Sequence, residues 1–271
     1  MIYILGARGR LGQALAARYD PDDVICLGRD VYQEWSEPGA VPAIRTFFAD
    51  CPPAPHVIYI CSGLLDPRLT AGELMAINYR LPRNVIESVA ELNIRVVTFG
   101  TAMEHALANN SYVQSKLKLS EYVDEINAQT PRALHVRIHT QYGSGEPSPF
   151  MFLGQILTAL RTDRPFAMTQ GRQLREYHHV EDDAKAIQSL VAKNLSGIVE
   201  LSHGSPVSLR SLAQGIFDAF GKAHLLQLGA LPEPVHENFD RVFTVPEALK
   251  AMSFRDANSA VIEYMKSRMS A

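Results

Sequence analysis

Cysteine is scarce: three residues in 271, at positions 26, 51 and 61. Their spacing offers neither a disulfide framework nor the paired pattern of a structural zinc site, so free thiols in a reduced compartment are expected. Basic charge is also short. Lys and Arg number 26 against 29 Asp and Glu, a net charge of −3, which leaves no positive field to hold nucleic acid. No apolar run approaches the ~20 residues that cross a bilayer. The opening MIYILGARGR lacks the basic, apolar and small-residue order of a signal peptide. A cytoplasmic protein is expected, with no membrane and no nucleic-acid partner. Repeats and low-complexity tracts are missing too. What the chain does have is core material: 46% hydrophobic against 20% charged residues, the balance of a globular protein.

Residues 1–5 form a continuous apolar run suited to a buried parallel strand, and residues 11–19 then follow helical spacing. Further strands are expected at 22–27, 57–60, 95–99 and 133–138, with helices at 41–49, 71–92 and 112–127. Prolines 52, 53 and 55 forbid continuation of the helix 41–49, and Pro82 is expected to kink or break the helix 71–92. Strand and helix alternate, which argues for a parallel sheet with helices on both faces. The character changes after Tyr142, where GSGEPSP is turn-rich. Helices are expected at 150–161, 180–193, 209–220, 246–252 and 257–267, and short strands at 166–168, 176–178 and 198–202.

GARGRLG places Gly6, Gly9 and Gly12 between the first strand and the first helix. The first glycine permits a tight turn, the second lets backbone approach a pyrophosphate, and the third lets helix pack on strand. Amides at the head of the helix, from Arg10 and Leu11 on, then face the phosphates. The expected fold is therefore a doubly wound, Rossmann-like α/β sheet. A dinucleotide-binding domain covers 1–142 and a smaller α/β substrate lobe covers 143–271, with some segments returning to the first domain. The second strand ends VICLGRD. An acidic residue here would hold a ribose 2′-hydroxyl, and an arginine would pair with a 2′-phosphate. Arg29 comes first, with Arg8 and Arg10 adding positive charge, so NADP(H) is favoured over NAD(H). The alternatives are a solvated Arg29 and a ribose held by Asp30.

SYVQSK sets Tyr112 four residues before Lys116 where a helix begins, so the two share a face. A neighbouring cation lowers a phenol's pKa from about 10 and readies it to pass a proton. The alternative is a surface tyrosine beside a lysine.

Together these residues resemble the extended short-chain dehydrogenase/reductase family, in its NAD-dependent epimerase/dehydratase group, over nearly the whole chain. GARGRLG matches its nucleotide turn. VIYICSG matches its third nucleotide-domain strand, which implies cofactor contacts at Cys61, Ser62 and Gly63. MAINYRLPRNVIESVAELNIRVVTFGT is similar to its helix carrying an asparagine, here Asn78, and to the strand that ends at a catalytic Ser or Thr. SYVQSK matches its Tyr-x-x-x-Lys, VRIHTQYG its substrate-facing turn, and REYHHVEDDAKAI its C-terminal-lobe signature. The resemblance implies that Tyr112 exchanges the proton, that Lys116 lowers its pKa and holds the nicotinamide ribose, and that Thr101 bonds the reacting oxygen. A cap at a helix or turn is the alternative for Thr101.

Dehydratases of the family follow that threonine with an Asp–Glu pair. Ala102 and Met103 stand there, beside the substrate, and neither carries a proton. Glu104, one step on, is a poor substitute. Further along, Arg175 either contacts a diphosphate or pairs with Glu181 or Asp182. Thr140 stands where relatives place an asparagine on the substrate phosphate. His139 either reaches the cofactor pocket or is satisfied in the core, and His179 is read as structural. Phe166 is expected to stack on a nucleobase, and Arg241 to add a second phosphate contact. No metal is expected.

The activity expected is NADPH-dependent reduction of a nucleotide-activated 4-keto-6-deoxysugar, for surface polysaccharide synthesis. An NAD-dependent nucleotide-sugar 4-epimerase is the alternative, and a silent NADP-binding redox sensor the alternative of another class. Relatives dimerise through the helices matching 71–92 and 112–127, so a homodimer is expected, with Leu74, Ile77, Leu81, Leu117 and Val123 as apolar contacts.

Overall fold

The apolar runs become parallel strands: β1 (Ile2–Leu5), β2 (Val24–Leu27), β3 (Val57–Ile60), β4 (Arg95–Thr101), β5 (Ala133–Ile138) and β6 (Gly197–Glu200). They form one six-stranded sheet in the order β6-β5-β4-β3-β1-β2, and each neighbouring pair is parallel. This computed structural model describes residues 1–51, 56–106 and 110–270, so prolines 52, 53 and 55 lie outside the described residues. β3 is buried at every position, as a strand covered on both faces requires. β2 forms an edge and leaves Cys26 exposed. The order reverses between β1 and β3, and ligands of open α/β sheets bind outside the carboxyl ends of strands at such a point.

Two units divide the chain. The first holds Met1–Ile138, Asp183–Leu201 and Pro246–Lys250, and the second holds the remainder. In the first, helices α1 (Arg10–Ala16), α2 (Arg29–Tyr32), α3 (Val41–Ala49), α4 (Ala71–Met75), α5 (Leu81–Ser88) and α6 (Ser111–Gln129) join the strands. Its core gathers Tyr3, Leu5, Trp35, Phe48, Ile58 and Val85. Trp35 meets the edges of Phe47 and Phe48 at 5.2 and 5.5 Å. Each fully buried aliphatic side chain contributes about 1.5–3 kcal/mol.

The helix expected over 71–92 is really three pieces. Between α4 and α5 the turn Ala76–Arg80 is π-helical, and the amide of Leu81 reaches back to the Ala76 carbonyl. Pro82 has no amide to donate, and the wide turn sets it in the first turn of α5, where none is needed. The helix ends at Ser88. Other boundaries also move. Asp22 and Asp23 belong to a 3-10 turn, because the Asp20 carboxylate accepts from the Asp22 amide. β4 runs on to Thr101, since Gly100 and Thr101 stay paired with Arg137 and Ile138. Only Glu247–Leu249 is helical within 246–252. Leu74, Leu81 and Val123 are buried within this chain, at 3%, 0% and 0% exposure, so they are not the interchain contacts expected of them.

The second unit packs the helices Phe152–Thr162, Leu209–Ala219 and Ala257–Met269 around Leu157, Leu160, Phe217, Val261 and Met265. Short strand pairs complete it: Thr140–Tyr142 with Tyr177–His179, Leu174–Arg175 with Val207–Ser208, and Phe166–Met168 with Leu226–Leu228.

Gly6 ends β1 at φ +77°, and a Cβ there would lie 2.5 Å from the Ser62 nitrogen and 2.7 Å from the Cys61 carbonyl carbon. Both are backbone, so relief requires moving β3's exit. Gly6→Ala is expected to lower the stability of the ligand-free protein by about 2 kcal/mol or more. Urea unfolding measures it, and an unchanged midpoint would remove this account of the turn.

Candidate active site

The glycine turn is built by short contacts. The Gly9 amide donates to the Gly6 carbonyl at 2.9 Å. A Cβ on Gly12 would lie 2.4 Å from the same oxygen, which is how closely α1 sits on the turn. Gln13 Nε2 braces it at the Arg8 carbonyl, 3.0 Å away. Gly9 is the N-cap and offers no side-chain acceptor to the first amides of α1. Those amides suit an anion. Leu11 is buried at 8% exposure, so it serves this turn through its backbone only, while Arg8 is exposed. Arg29 is exposed at the head of α2, and the Asp30 carboxylate lies against Gly28, where a Cβ would come within 2.3 Å of its Oδ1.

Thr101 ends β4, and Tyr112 and Lys116 stand near the start of α6. Asn110 caps α6 by accepting from the Val113 amide at 3.2 Å, which sets Tyr112 in the first turn. The Tyr112 hydroxyl lies beside the Thr101 side chain. Residues 107–109, on the approach to α6, lie outside the described residues. Lys116, one turn on, donates from Nζ to the Phe99 carbonyl at 2.8 Å. Burial pushes Lys116 down to about 8, against the charge of Glu104, which pulls it up. Tyr112 departs from expectation. Its phenol is pushed up to about 12, by burial first and by Glu104 second, with the Thr101 hydrogen bond pulling the other way. The lysine is turned to a backbone carbonyl.

Asn78 is buried in the π turn. Its Oδ1 accepts from the Leu64 amide at 2.8 Å, and its Nδ2 donates to the Leu64 carbonyl at 2.9 Å and to Ser115 Oγ at 3.0 Å. It therefore clamps the segment after β3 to α6, beside Lys116. Gly63 lies between them, its Cβ position 3.5 Å from both Asn78 Oδ1 and Lys116 Nζ. The Cys61 thiol is pushed up by burial, with Lys116 opposing. Cys61 also donates its amide to the Leu5 carbonyl at 2.8 Å, and Ser62 follows against Gly6.

Glu104 is the residue that sequence reasoning passed over. Its Oε1 accepts from the Thr101 amide at 3.0 Å, and Oε2 from Arg137 Nε at 2.7 Å. Arg137 passes on to Ser120 Oγ at 2.7 Å. His135 lies with Nε2 3.9 Å from Glu104 Oε1 and Nδ1 2.8 Å from Thr98 Oγ1. Burial pushes the Glu104 carboxyl up, but His135, the Thr101 amide and Arg137 together hold it at about 2. A Cβ on Gly100 would lie 2.3 Å from His135 Nε2 and 2.4 Å from Glu104 Oε1, so only glycine fits between them. The signal in the sequence was Thr-x-x-Glu, a capping box. Thr101 Oγ accepts from the Met103 amide while Glu104 returns to Thr101. Thr101 is thus both a cap and Tyr112's neighbour.

A family model described as "NAD dependent epimerase/dehydratase family" matches residues 2–200. The chain belongs to that family. Solved structures similar to it share the fold at low identity. The dTDP-4-dehydrorhamnose reductase of Clostridium acetobutylicum is 17% identical over 98% of this chain and 99% of its own, with a TM-score of 0.77. The same-named enzyme of Bacillus anthracis, in complex with NADP, is 17% identical over 86% and 87%, with a TM-score of 0.69. The UDP-N-acetylglucosamine 4-epimerase of Methanobrevibacter ruminantium, in complex with UDP-N-acetylmuramic acid, is 13% identical over 99% and 96%, with a TM-score of 0.75. No curated protein sequence matches the chain significantly. Among the described residues no helix is long and apolar enough to cross a membrane.

Ala102, buried, and Met103 occupy the 3-10 turn Ala102–His105 beside Thr101. The remaining expected contacts lie in the second unit. Phe166 is 8% exposed and packs on Phe152 and Phe217 at 5.9 and 5.8 Å, inside the core. It offers no face to a base, and that expectation is corrected. Arg175 pairs with Glu237, not with Glu181 or Asp182, which hold Arg255. Arg241 is exposed, over the Phe243 ring at 4.7 Å, and its amide is held by Asn238 Oδ1. Thr140 takes its place in a strand, its amide on the Glu176 carbonyl at 3.2 Å. His139 stacks on His178 at 5.2 Å and meets Phe243 edge-on at 4.9 Å.

Ligand atoms of Glu176, His178 and His203 also lie within 4.8 Å of one another. The two imidazoles stack at 4.4 Å and 23°, so their in-plane lone pairs run side by side and do not converge. The carboxylate already accepts from Ser202 Oγ and the His203 amide at 2.7 and 2.8 Å. This is a hydrogen-bonded clamp on the loop after Leu201.

Glu104 has a folded pKa below its unfolded value, so its ionised form stabilises the fold above about pH 4.5. That stability disappears as pH falls toward 2. The increment is of order 3 kcal/mol. Wild type should therefore exceed Glu104→Gln in unfolding free energy near neutrality, with the difference shrinking between about pH 4.5 and 2. Denaturant titrations at several pH values read it directly. A pH-independent difference would show that the carboxylate's charge is not what the network stabilises.

Proposed function

We propose that the chain is an NADPH-dependent reductase of a nucleotide-activated 4-keto-6-deoxysugar. The observation that carries the reading is Thr101 set beside the Tyr112 hydroxyl, with Lys116 one turn on, next to two side chains that hold no proton, Ala102 and Met103. A proton relay without an elimination acid and base suits reduction or epimerisation better than dehydration. Two similar structures are 4-dehydrorhamnose reductases, which supports the same choice.

The residues fit a dinucleotide. The uncapped head of α1 and the exposed Gly9 suit its pyrophosphate, and Lys116 and Gly63, at the carboxyl edge of β3 and β4, would hold its nicotinamide end. A bound nicotinamide supplies hydride. The protein's own residues handle the oxygen: Thr101 and Tyr112 hold the ketone, and Tyr112 gives the proton as the carbonyl carbon is reduced.

Tyr112→Phe should keep dinucleotide binding while turnover of nucleotide 4-keto-6-deoxysugars falls by about 10²–10⁴-fold. NADPH oxidation followed at the nicotinamide absorbance tests this, and a fully active variant would end the assignment. Interconversion of nucleotide sugars without net NADPH loss would instead identify an epimerase.

NADPH is the cofactor proposed because Arg29 is exposed and comes first after Leu27 and Gly28 at the end of β2, ahead of the equally exposed Asp30. A guanidinium on the 2′-phosphate contributes about 1.5–3 kcal/mol. Arg29→Ala should weaken NADPH binding by roughly ten- to a hundredfold and leave NADH binding little changed. Calorimetric titration of both dinucleotides decides it; wild-type preference for NADH would count for Asp30 on the ribose.

A further inference from the structure

The reduction proposed above uses Thr101, Tyr112 and Lys116 and gives no task to the buried carboxylate beside them. Glu104 is 8% exposed, on the turn that follows β4. Both its oxygens are engaged, one by the Thr101 amide and one by Arg137. A capping box in a surface turn needs no second partner, no arginine from the next strand and no glycine cleared out of its way. Here Arg137 reaches across from β5, Ser120 takes its other arm, and Gly100 leaves room for Glu104 beside His135. An ionised carboxylate in such a place is costly unless it is paired this fully. It also lies close enough to Tyr112 and Lys116 for its charge to act on both.

We propose that Glu104 is the positioning residue of this site: it fixes the Thr101 backbone so that the threonine side chain faces Tyr112, and it sets a negative charge beside Tyr112 and Lys116. This rests on the reductase reading. Glu104 is not itself a proton donor, because its carboxyl stays ionised down to about pH 2. Its charge works through the other two. It adds to the rise that burial gives the phenol, and it holds the buried lysine up against burial. The groups facing this cluster are His135 and Arg137 from β5, Thr101 from β4, Cys61 after β3, and Tyr112 and Lys116 from α6. His135 is pulled down by burial and pulled up by Glu104. Cys61 is a neutral thiol, pushed up by burial. Arg137 is charged but turned to Glu104 and Ser120. Glu104 is therefore the group whose removal changes the balance.

The test compares Glu104→Gln with Glu104→Asp. One readout needs no substrate: NMR titration of the Lys116 side chain in isotope-labelled protein, assigned by Lys116→Arg. In Glu104→Gln the Lys116 midpoint should move down, and the alkaline limb of the kcat profile with it. At neutral pH kcat should fall by roughly ten- to a hundredfold, with KM for the nucleotide sugar within about threefold. Glu104→Asp keeps the charge and should return both midpoints toward wild type, even if kcat recovers only in part. If Glu104→Gln does not fold, Glu104→Gln with Arg137→Met leaves no unpaired buried charge and carries the same titration. A folded Glu104→Gln protein whose Lys116 midpoint and kcat profile match wild type overturns the proposal. Loss of stability with a uniform loss of rate at every pH does so too, since that is a merely structural role. A fully active Tyr112→Phe would remove the reductase reading instead, while the Lys116 titration still decides Glu104.

Discussion

One buried carboxylate organises the end of β4. Glu104 folds back on the amide of Thr101 and accepts Arg137 from the neighbouring strand. An ionised group away from water is tolerated only when donors meet its oxygens, so the requirement spreads outward. Arg137 has to stand on β5 in register with Gly100. Gly100 has to lack a side chain. Ser120, on α6, has to be small and hydroxylated to receive the other arm of Arg137. Thr101, whose side chain lies beside Tyr112, is held in place by this arrangement, and α6 is tied to the same strand edge.

The opposite flank of the site depends on a backbone irregularity. The π turn at Ala76–Arg80 turns Asn78 inward, where its amide bridges Leu64 and Ser115. A regular α-helix with Pro82 in its interior would lack a hydrogen bond and carry a clash. The widened turn removes both problems and gives Asn78 a position from which one side chain links the segment after β3 to the residue before Lys116. Rigid elements, not loops, thus hold Lys116: α6 on one side and the Phe99 carbonyl of β4 on the other. Such support is what keeps side-chain geometry within the tolerance proton transfer demands.

Much of the first unit was legible because its signals are local. The apolar run of β1, the glycines after it and the helical spacing of α1 fall within one strand–turn–helix, and each residue type there answers a steric need the chain feels at once. The bounds of Val41–Ala49, Ala133–Ile138 and Phe166–Met168 were likewise set by periodicity and by the breakers around them. Where reading failed, the deciding partner was distant in sequence. Arg175 finds Glu237, sixty-two residues away, in preference to the nearer Glu181. Phe166 is enclosed by Phe152 and Phe217, from two helices that periodicity alone could not place around it. Val123 and Leu81, apolar on expected surface helices, face inward because the sheet lies on that side.

By itself the sequence determined the alternation of strand and helix, the glycine turn, and the shared helical face of Tyr112 and Lys116, since spacing along the chain dictates all three. Only the tertiary structure decided the electrostatic state of that pair. A phenol four residues from a lysine is expected to titrate low, yet Tyr112 is held high, because burial removes water from it and Glu104 adds its charge. Burial and through-space charge depend on what β4, β5 and α6 bring together, and no spacing within SYVQSK records it.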